Sequence, residues 1–330
     1  MRRLTIGLIG LLLLVGTGRA QVLPSSSPLP ASFEEGRVHL HPVTRAGDTL
    51  RLNLDTGGRT YFYRKTVERL GWPVRDTTIS GRSRSVTKYP RLRRPGVFAG
   101  PAIGVPLVHE RRPIDRRLHR EADGLLGTRW FAGRVWRINY VAEDLHLLDS
   151  VPEAIPESRH TITMGFPTDS AGDRRTHFPS IEATISGTTR PFLLDTGATL
   201  LLSKKGRTEL GGAGVRAASY VVESVFERWR REHPDWKVVE GGSVYGGGSP
   251  MIRVPTVTIG GHSVGPVWFV QRPDGAFHGK MAQLMDQPVD GALGGSLFQY
   301  FELTLDYPNA RVHLRRPAGP DSADGVEGRR

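Results

Sequence analysis

The chain contains no cysteine among its 330 residues. Disulfide bonds, thiolate metal sites, cysteine nucleophiles and lipid attachment through a cysteine are therefore excluded. A hydrophobic core must stabilise the fold instead, and a chain of this length is sufficient for two domains of about 100–200 residues each.

Long hydrophobic runs are also scarce. The apolar stretch at residues 4–15 is shorter than the ~20 residues that a membrane-spanning helix needs. It follows Arg2 and Arg3 and leads to Gly18-Arg19-Ala20, which is the layout of a secretory signal peptide. We predict cleavage between Ala20 and Gln21 and export to the periplasm or the extracellular space. Retention as an uncleaved anchor is the alternative.

Acidic residues are fewer than basic residues, 33 against 45, which gives a formal net charge of +12. The basic residues are densest between positions 75 and 120, but this tract lacks the interleaved aromatic residues of a base-stacking surface. No nucleic-acid partner is predicted. The tract is interpreted as a solvated arginine-rich surface, with weak attraction to anionic surfaces as the alternative.

Turn-forming residues, by contrast, are abundant, with 40 glycines and 24 prolines among many short apolar runs. This composition favours strands over long helices and predicts a mainly β protein.

An internal repeat indicates two related lobes. The first copy contains Leu54-Asp55-Thr56-Gly57 and, further on, Asp123-Gly124-Leu125-Leu126-Gly127. The second contains Leu194-Asp195-Thr196-Gly197 and Asp290-Gly291-Ala292-Leu293-Gly294. Each block then continues into a predicted pair of strands, at residues 135–148 and 301–314. Asp123 and Asp290 are interpreted as structural turn residues.

Within each copy, the aspartate follows a short predicted strand and lies on a tight glycine-containing loop. Short helical turns are predicted at residues 65–70 and 204–210, each stopped by a glycine. The second copy carries a predicted helical insert at about residues 217–239, where Val225, Phe226 and Trp229 have helical spacing.

Two carboxyl groups about 3 Å apart can hydrolyse a peptide bond without a metal ion or a nucleophilic side chain. Like charges so close cannot both ionise, so the pair shares one proton and supplies a base and an acid together. A pseudo-twofold axis relating the two lobes would bring Asp55 and Asp195 face to face.

These motifs resemble those of the pepsin and retropepsin superfamily of aspartic proteases, and among them bacterial exported aspartyl-protease-like proteins. The resemblance covers roughly residues 38–314. It implies a bilobal, pseudo-twofold, double-psi β-barrel-like fold with Asp55 and Asp195 as catalytic residues. It also implies that Thr56 and Thr196 clasp the opposite loop through their hydroxyls, and that Gly57 and Gly197 allow close approach to the dyad.

Two features remain open within this resemblance. Pepsin-like enzymes usually have Ser or Thr directly after the Asp-Thr-Gly tripeptide, whereas this chain has Gly58 and Ala198. A covering hairpin, the flap, is expected within a lobe, with Tyr89 and Tyr245 as candidate residues.

The predicted organisation has five parts. Residues 1–20 form the signal peptide, 21–36 a flexible lead-in, 37–152 the N-terminal lobe, 153–316 the C-terminal lobe and 317–330 a disordered tail.

Other reaction classes lack their motifs. Ser296 is not in a Gly-x-Ser-x-Gly elbow, and the glycine-rich run at residues 241–248 has no phosphate-loop ending. His39 and His41 have no apparent third ligand, so no metal site is predicted.

The sequence therefore predicts a monomeric aspartic endopeptidase that acts on peptide or protein substrates without a cofactor. The alternative is a non-catalytic protein that retains the bilobal groove and binds extended peptides through strand-like backbone pairing.

Overall fold

The computed structural model describes residues 28–152, 160–244 and 247–317. The predicted signal peptide with its cleavage site, Tyr245 and nearly all of the predicted tail lie outside the described residues. The predicted lobe boundary at residues 152 and 153 adjoins the segment 153–159, which is also outside them, and it stays a prediction. Among the described residues, no helix is long and apolar enough to cross a bilayer.

An eight-stranded sheet forms the N-terminal lobe, in the order β1-β2-β3-β8-β4-β7-β6-β5. Its strands are β1 (Ala31–Glu34), β2 (Arg37–Leu40), β3 (Leu52–Leu54), β4 (Tyr61–Tyr63), β5 (Arg75–Ile79), β6 (Arg82–Val86), β7 (Leu107–His109) and β8 (Gly124–Leu126). The helices of this lobe are α1 (Arg64–Arg69), α2 (Pro113–Leu118) and α3 (Thr128–Phe131).

A nine-stranded sheet forms most of the C-terminal lobe, in the order β17-β18-β21-β16-β22-β13-β12-β19-β20. Its strands are β12 (Ser180–Ile185), β13 (Thr188–Leu194), β16 (Ser219–Val222), β17 (Val238–Val239), β18 (Met251–Val254), β19 (Val257–Ile259), β20 (His262–Val264), β21 (Val267–Arg272) and β22 (Gly291–Leu293). The strands β14 (Thr199–Leu201) and β15 (Val215–Ala217) pair separately. The helices are α4 (Lys204–Leu210), α5 (Glu223–Glu232) and α6 (Gly295–Phe298), with a π-helix at Gly275–Met281 and a 3-10 turn at Ala282–Leu284.

A third sheet joins the two lobes. It contains β9 (Val135–Asn139) and β10 (Asp144–Leu148) from the first repeat, β23 (Glu302–Asp306) and β24 (Arg311–Arg315) from the second, and β11 (Thr161–Thr163). The strands β9 and β23 pair antiparallel across the lobes. The two predicted strand pairs are therefore confirmed, and together they form the sheet that connects the lobes.

The mainly β, two-lobed architecture is confirmed by matching strand arrangements. In the first lobe β3 pairs parallel with β8, and in the second β13 pairs parallel with β22. The strand β4 lies between β8 and β7 in the same way that β16 lies between β22 and β21.

This correspondence changes the position of the insert in the second lobe. Because β16 occupies the place of β4, the following helix α5 occupies the place of α1. A matching hydrogen bond supports this register, since Thr60 accepts from the Gly127 N–H as Ser219 accepts from the Gly294 N–H. The segment without a counterpart is thus β14-α4-β15. Gly71 and Gly211, which follow the two predicted helical turns, each lie 16 residues after the aspartate of their copy. Despite this equal spacing, they do not occupy equivalent positions in the two lobes.

The helix predicted from Val225, Phe226 and Trp229 is present as α5, and all three side chains are buried. It packs against β16 and β21 of the main sheet. The second lobe therefore contains a helical insert as predicted, but α4 rather than α5 is the inserted helix.

Part of the predicted flexible lead-in is ordered. Residues 31–34 form β1, which pairs antiparallel with β2. Leu29 is buried and donates its N–H to the carbonyl of Leu145, and the ring of Phe33 packs edge-on against that of Tyr140. The buried apolar contacts of Leu29 and Phe33 outweigh the turn-forming composition of this segment.

Candidate active site

Asp55 and Asp195 lie at equivalent strand ends. Asp55 follows β3 and donates its N–H to the carbonyl of Leu126, and Asp195 follows β13 and donates to Leu293. In each lobe the aspartate loop is thus hydrogen-bonded to the parallel strand of the second repeated block, which is β8 in the first lobe and β22 in the second. The two repeated motifs are brought together by this pairing.

Thr56 and Thr196 bind the opposite loop crosswise, and both are fully buried. The Thr56 hydroxyl accepts the Thr196 N–H at 3.0 Å and donates to the Leu194 carbonyl at 2.7 Å. The Thr196 hydroxyl accepts the Thr56 N–H at 3.1 Å and donates to the Leu54 carbonyl at 3.2 Å. Four hydrogen bonds therefore fix the two aspartate loops against each other.

Gly57 and Gly197 leave room for the opposing carboxyl groups. A Cβ placed at Gly57 would lie 2.7 Å from Oδ1 of Asp195, and one at Gly197 would lie 2.7 Å from Oδ1 of Asp55. Both distances are well below van der Waals contact. Each glycine thus allows the aspartate of the other lobe to approach its backbone.

The carboxyl groups of Asp55 and Asp195 are hydrogen-bonded to each other. Both side chains are partly exposed, but the atoms packed around them remove most of their hydration. Burial raises the pKa of Asp55 well above the usual range of an aspartate, and the neighbouring charge and hydrogen bond of Asp195 raise it further.

The two carboxyl groups differ in their hydrogen-bond donors. Burial also raises the pKa of Asp195, but hydrogen bonds from Asp55 and from the N–H groups of Gly197 and Ala198 oppose that rise. The Asp55 carboxylate is stabilised in the same way by the Gly57 N–H alone. These surroundings therefore favour the ionised form more at Asp195 than at Asp55.

Gly58 and Ala198 contribute to this asymmetry. A Cβ at Gly58 would lie 2.7 Å from the carboxyl carbon of Asp55, so no side chain fits there while Asp55 keeps its position. Ala198 is accommodated and its N–H lowers the pKa of Asp195. The absence of a hydroxyl after the first tripeptide is thus a steric requirement of this loop.

Two aromatic residues outside the repeated motifs lie at equivalent positions of the two lobes, since Tyr61 pairs with Leu125 and Tyr220 with Ala292. Tyr61 on β4 stacks on His109 with ring centroids 4.5 Å apart, and Tyr220 on β16 lies under the Arg272 guanidinium at 4.1 Å. The charge of Asp55 acts on Tyr61, and that of Arg272 acts on Asp195. The sequence does not reveal this pair directly. Each tyrosine pairs with a strand of the second repeated block, but the insert makes the two tyrosines lie at different distances from the aspartates along the chain.

Buried tyrosines from the repeated strand pairs lie near the dyad. Tyr140 and Tyr307 are equivalent in the repeat, and burial raises the pKa of both. The charge of Asp195 adds to this rise at Tyr140, and that of Asp55 adds to it at Tyr307. Both phenols stay neutral.

The two flap candidates have different outcomes. Tyr89 lies in an irregular segment after β6, where its ring packs against Phe62 and Phe98, so it is part of the lobe's packing. Tyr245 lies outside the described residues. Between the two repeated blocks of this lobe, β5 and β6 form a hairpin with a turn at Ser80 and Gly81.

Asp123 and Asp290 tie strands together away from the dyad. Asp123 accepts hydrogen bonds from the Arg51 N–H, the Thr66 hydroxyl and Arg69. Asp290 accepts from Arg190 and contacts His278. Within the described parts of the chain, no group of three His, Cys, Asp or Glu residues could hold a metal ion.

Removing one clasping hydroxyl is expected to destabilise the protein. In Thr56→Val, the buried Thr196 N–H and Leu194 carbonyl lose their partner, and each unsatisfied group costs about 1–3 kcal/mol. We expect the free energy of unfolding to fall by about 2–4 kcal/mol, measured by urea denaturation. Thr184→Val is the control, because its hydroxyl pairs only with that of Thr189 at the surface. An equal loss in both variants would contradict a specific role for the clasp.

Comparison with known proteins gives only distant likenesses. No protein-family model and no curated protein match the chain. Among solved structures, an aspartic proteinase from Irpex lacteus matches with a TM-score of 0.43 and 12% identity, over 88% of this chain and 97% of that one. Conglutin gamma, a basic 7S globulin from lupine seeds, matches with a TM-score of 0.42 and 11% identity, over 88% and 95%. Similarity at this level does not establish an activity for this chain.

Proposed function

We propose that the protein is an aspartic endopeptidase in which Asp55 and Asp195 activate a water molecule. The observation that supports this most directly is the hydrogen bond between two carboxyl groups supplied by equivalent loops of the two lobes. A turn-capping role would account for one such aspartate, but it would not require two of them to face each other. Export of the enzyme is part of the proposal.

The asymmetry of the dyad assigns the roles in the first step. Asp195, as the carboxylate, takes a proton from the water as the water oxygen attacks the peptide carbonyl carbon. Asp55 donates its proton to the carbonyl oxygen, so a neutral gem-diol forms without a free oxyanion. In the second step, Asp195 returns a proton to the leaving nitrogen while Asp55 recovers its own, and the C–N bond breaks.

The surroundings of the dyad support a single protonation state. Gly197, Ala198 and Arg272 stabilise the charge on Asp195, whereas burial favours the neutral form of Asp55. The backbone clasp holds both loops in place, so little reorganisation is needed during the reaction.

The rate of cleavage is expected to depend on pH as a bell-shaped curve. The active form requires Asp195 ionised and Asp55 protonated, so activity falls at low pH as Asp195 gains a proton and at high pH as Asp55 loses one. Because burial raises the pKa of Asp55, the loss at high pH lies above the usual titration range of an aspartate. The measurement is kcat/KM for a cleaved peptide between pH 3 and 9.

A peptide library incubated with the purified protein over this pH range tests the function itself. Cleavage products identified by mass spectrometry, with the bell-shaped profile, support the enzyme. Binding of peptides without cleavage at any pH would instead support the non-catalytic peptide-binding alternative. Activity that rises steadily to alkaline pH would contradict the shared-proton mechanism.

A further inference from the structure

A cavity of about 270 Å³ lies beside the strand β2 of the first sheet, and neither aspartate of the dyad lines it. Arg37 and His39 on β2 and Arg51, directly before β3, line it together with residues 117–122, which include the end of α2 and the segment after it. Val215 of the C-terminal lobe reaches its edge, so the cavity lies where the lobes meet.

The lining of this cavity is predominantly cationic. The lining contains four arginines, two glutamates and two histidines: Arg37, Arg51, Arg117, Arg120, Glu34, Glu121, His39 and His119. Glu34 pairs with Arg51 at 2.5 Å and with Arg37 at 3.8 Å, and Arg37 also donates to the Leu118 carbonyl. The remaining guanidinium groups present a surplus of positive charge and hydrogen-bond donors to the cavity.

Several nitrogens at the cavity are buried without a hydrogen-bond partner. Among the described contacts, Nε of Arg37 and Nδ1 of both His39 and His119 have none. His39 is only 2% exposed, and Asn53, directly opposite it on β3, also has both amide atoms unpartnered. Buried polar atoms are nearly always hydrogen-bonded in folded proteins, so this concentration indicates a missing polar ligand.

From this lining we infer that the cavity binds a small oxyanion of the phosphate or sulfate type. Guanidinium groups donate two parallel hydrogen bonds to such an anion, and Arg117 and Arg120 line the cavity together with Arg37 and Arg51. The imidazole nitrogens of His39 and His119 complete its coordination. A tetrahedral dianion matches the surplus of charge better than a single carboxylate does.

Anion binding at this site is coupled to proton uptake. Burial, with the charges of Arg51 and Arg37, lowers the pKa of His39 to about 3, while Glu34 opposes this and His41 adds to it. Burial lowers the pKa of His119 to about 4, with Arg37, Arg111 and Arg112 lowering it and Asp115 raising it. A bound anion offsets this arginine field, so it raises both pKa values and binds more tightly as the pH falls.

Isothermal titration calorimetry of the full-length chain with inorganic phosphate tests the site at constant ionic strength. We expect saturable binding that weakens about tenfold or more in Arg117→Gln/Arg120→Gln, since the charge-assisted hydrogen bonds of two guanidinium groups are lost. Both arginines are exposed, so the fold is preserved. The matched control Arg75→Gln/Arg82→Gln removes the same charge from the β5–β6 hairpin and is expected to bind normally. No saturable binding, or equal weakening in the control, would overturn the proposal.

The same titration with sulfate measures the pH dependence that comes from the protein alone, because sulfate stays a dianion between pH 5 and pH 7.5. Because a bound dianion raises the pKa of His119 from about 4, we expect binding about tenfold tighter at pH 5 than at pH 7.5. His119→Gln should reduce this dependence. Binding that is independent of pH would overturn the role of the histidines.

A vesicle-binding experiment distinguishes a free anion from a lipid headgroup as the source of the bound group. Vesicles of an anionic phospholipid that bind the protein, with displacement by phosphate and weakening in Arg117→Gln/Arg120→Gln, would identify a headgroup as the source. Phosphate binding without vesicle binding would identify a free anion. Vesicle binding weakened equally by the hairpin control, without phosphate binding, would overturn the site.

Discussion

Replacing either Asp55 or Asp195 with asparagine is expected to lower kcat/KM for peptide hydrolysis by about 10³-fold or more. Asparagine has the same shape but can neither take a proton from water nor share one with the opposing carboxyl group, so acid and base catalysis are lost together. Because the two groups act as a unit, the double variant should be no worse than either single one. The measurement is cleavage of a peptide identified with the unaltered enzyme.

The asparagine variants should remain folded, since the crosswise threonine hydrogen bonds do not involve the carboxyl groups. Their stability should also depend less on pH. A carboxyl group whose pKa is raised by folding destabilises the folded state as pH rises through that pKa, so Asp55→Asn is expected to unfold at an equal or higher temperature at pH 7. Asp235→Asn, at an exposed position, is the control and should leave activity unchanged. Full activity in either dyad variant would refute the proposed chemistry.

A single methyl group at Gly57 or Gly197 is expected to lower kcat/KM by about 100-fold or more. The added Cβ would lie 2.7 Å from an oxygen of the opposing aspartate and would force that carboxyl group away from its partner. A displacement of about 1 Å at reacting groups is enough for a loss of this size. The overpacked loop should also cost about 1–3 kcal/mol of stability.

Gly279→Ala is the matched control for these variants, because a Cβ there has nothing within 4 Å. It should leave both kcat/KM and the unfolding temperature unchanged. A crystal structure of Gly197→Ala would show the Asp55 carboxyl rotated or shifted. If Gly197→Ala retained normal kinetics with an unmoved carboxyl group, the close approach across the lobes would not be needed for catalysis.

The repeated motifs made the main features of the site predictable. Asp55-Thr56-Gly57 and Asp195-Thr196-Gly197 recur with the same second block, and the structure brings the two aspartates together through strands that pair in the same way. The equivalence of the strand pairs at residues 135–148 and 301–314 was also visible. The same pattern did not show that these four strands join into one sheet across the lobes.

The position of the insert was not predictable from spacing. A short helix followed by a glycine occurs after each aspartate, but α1 packs beside β4 whereas α4 belongs to the inserted segment. Only the pairing of β16 with β21 and β22 reveals the true counterpart of β4. For the same reason, the correspondence of Tyr61 with Tyr220, and of His109 with Arg272, could not be read from the chain.

By itself, the sequence determined that the chain has two related halves and which side chains could carry the chemistry, because a tandem repeat preserves motif order and local turn preferences. Tertiary structure alone decided which carboxyl group receives more hydrogen bonds and which arginine and histidine nitrogens are buried without a partner. Protonation and polar satisfaction depend on burial and on neighbours far apart in the chain, and those distances are set only when the strands pair.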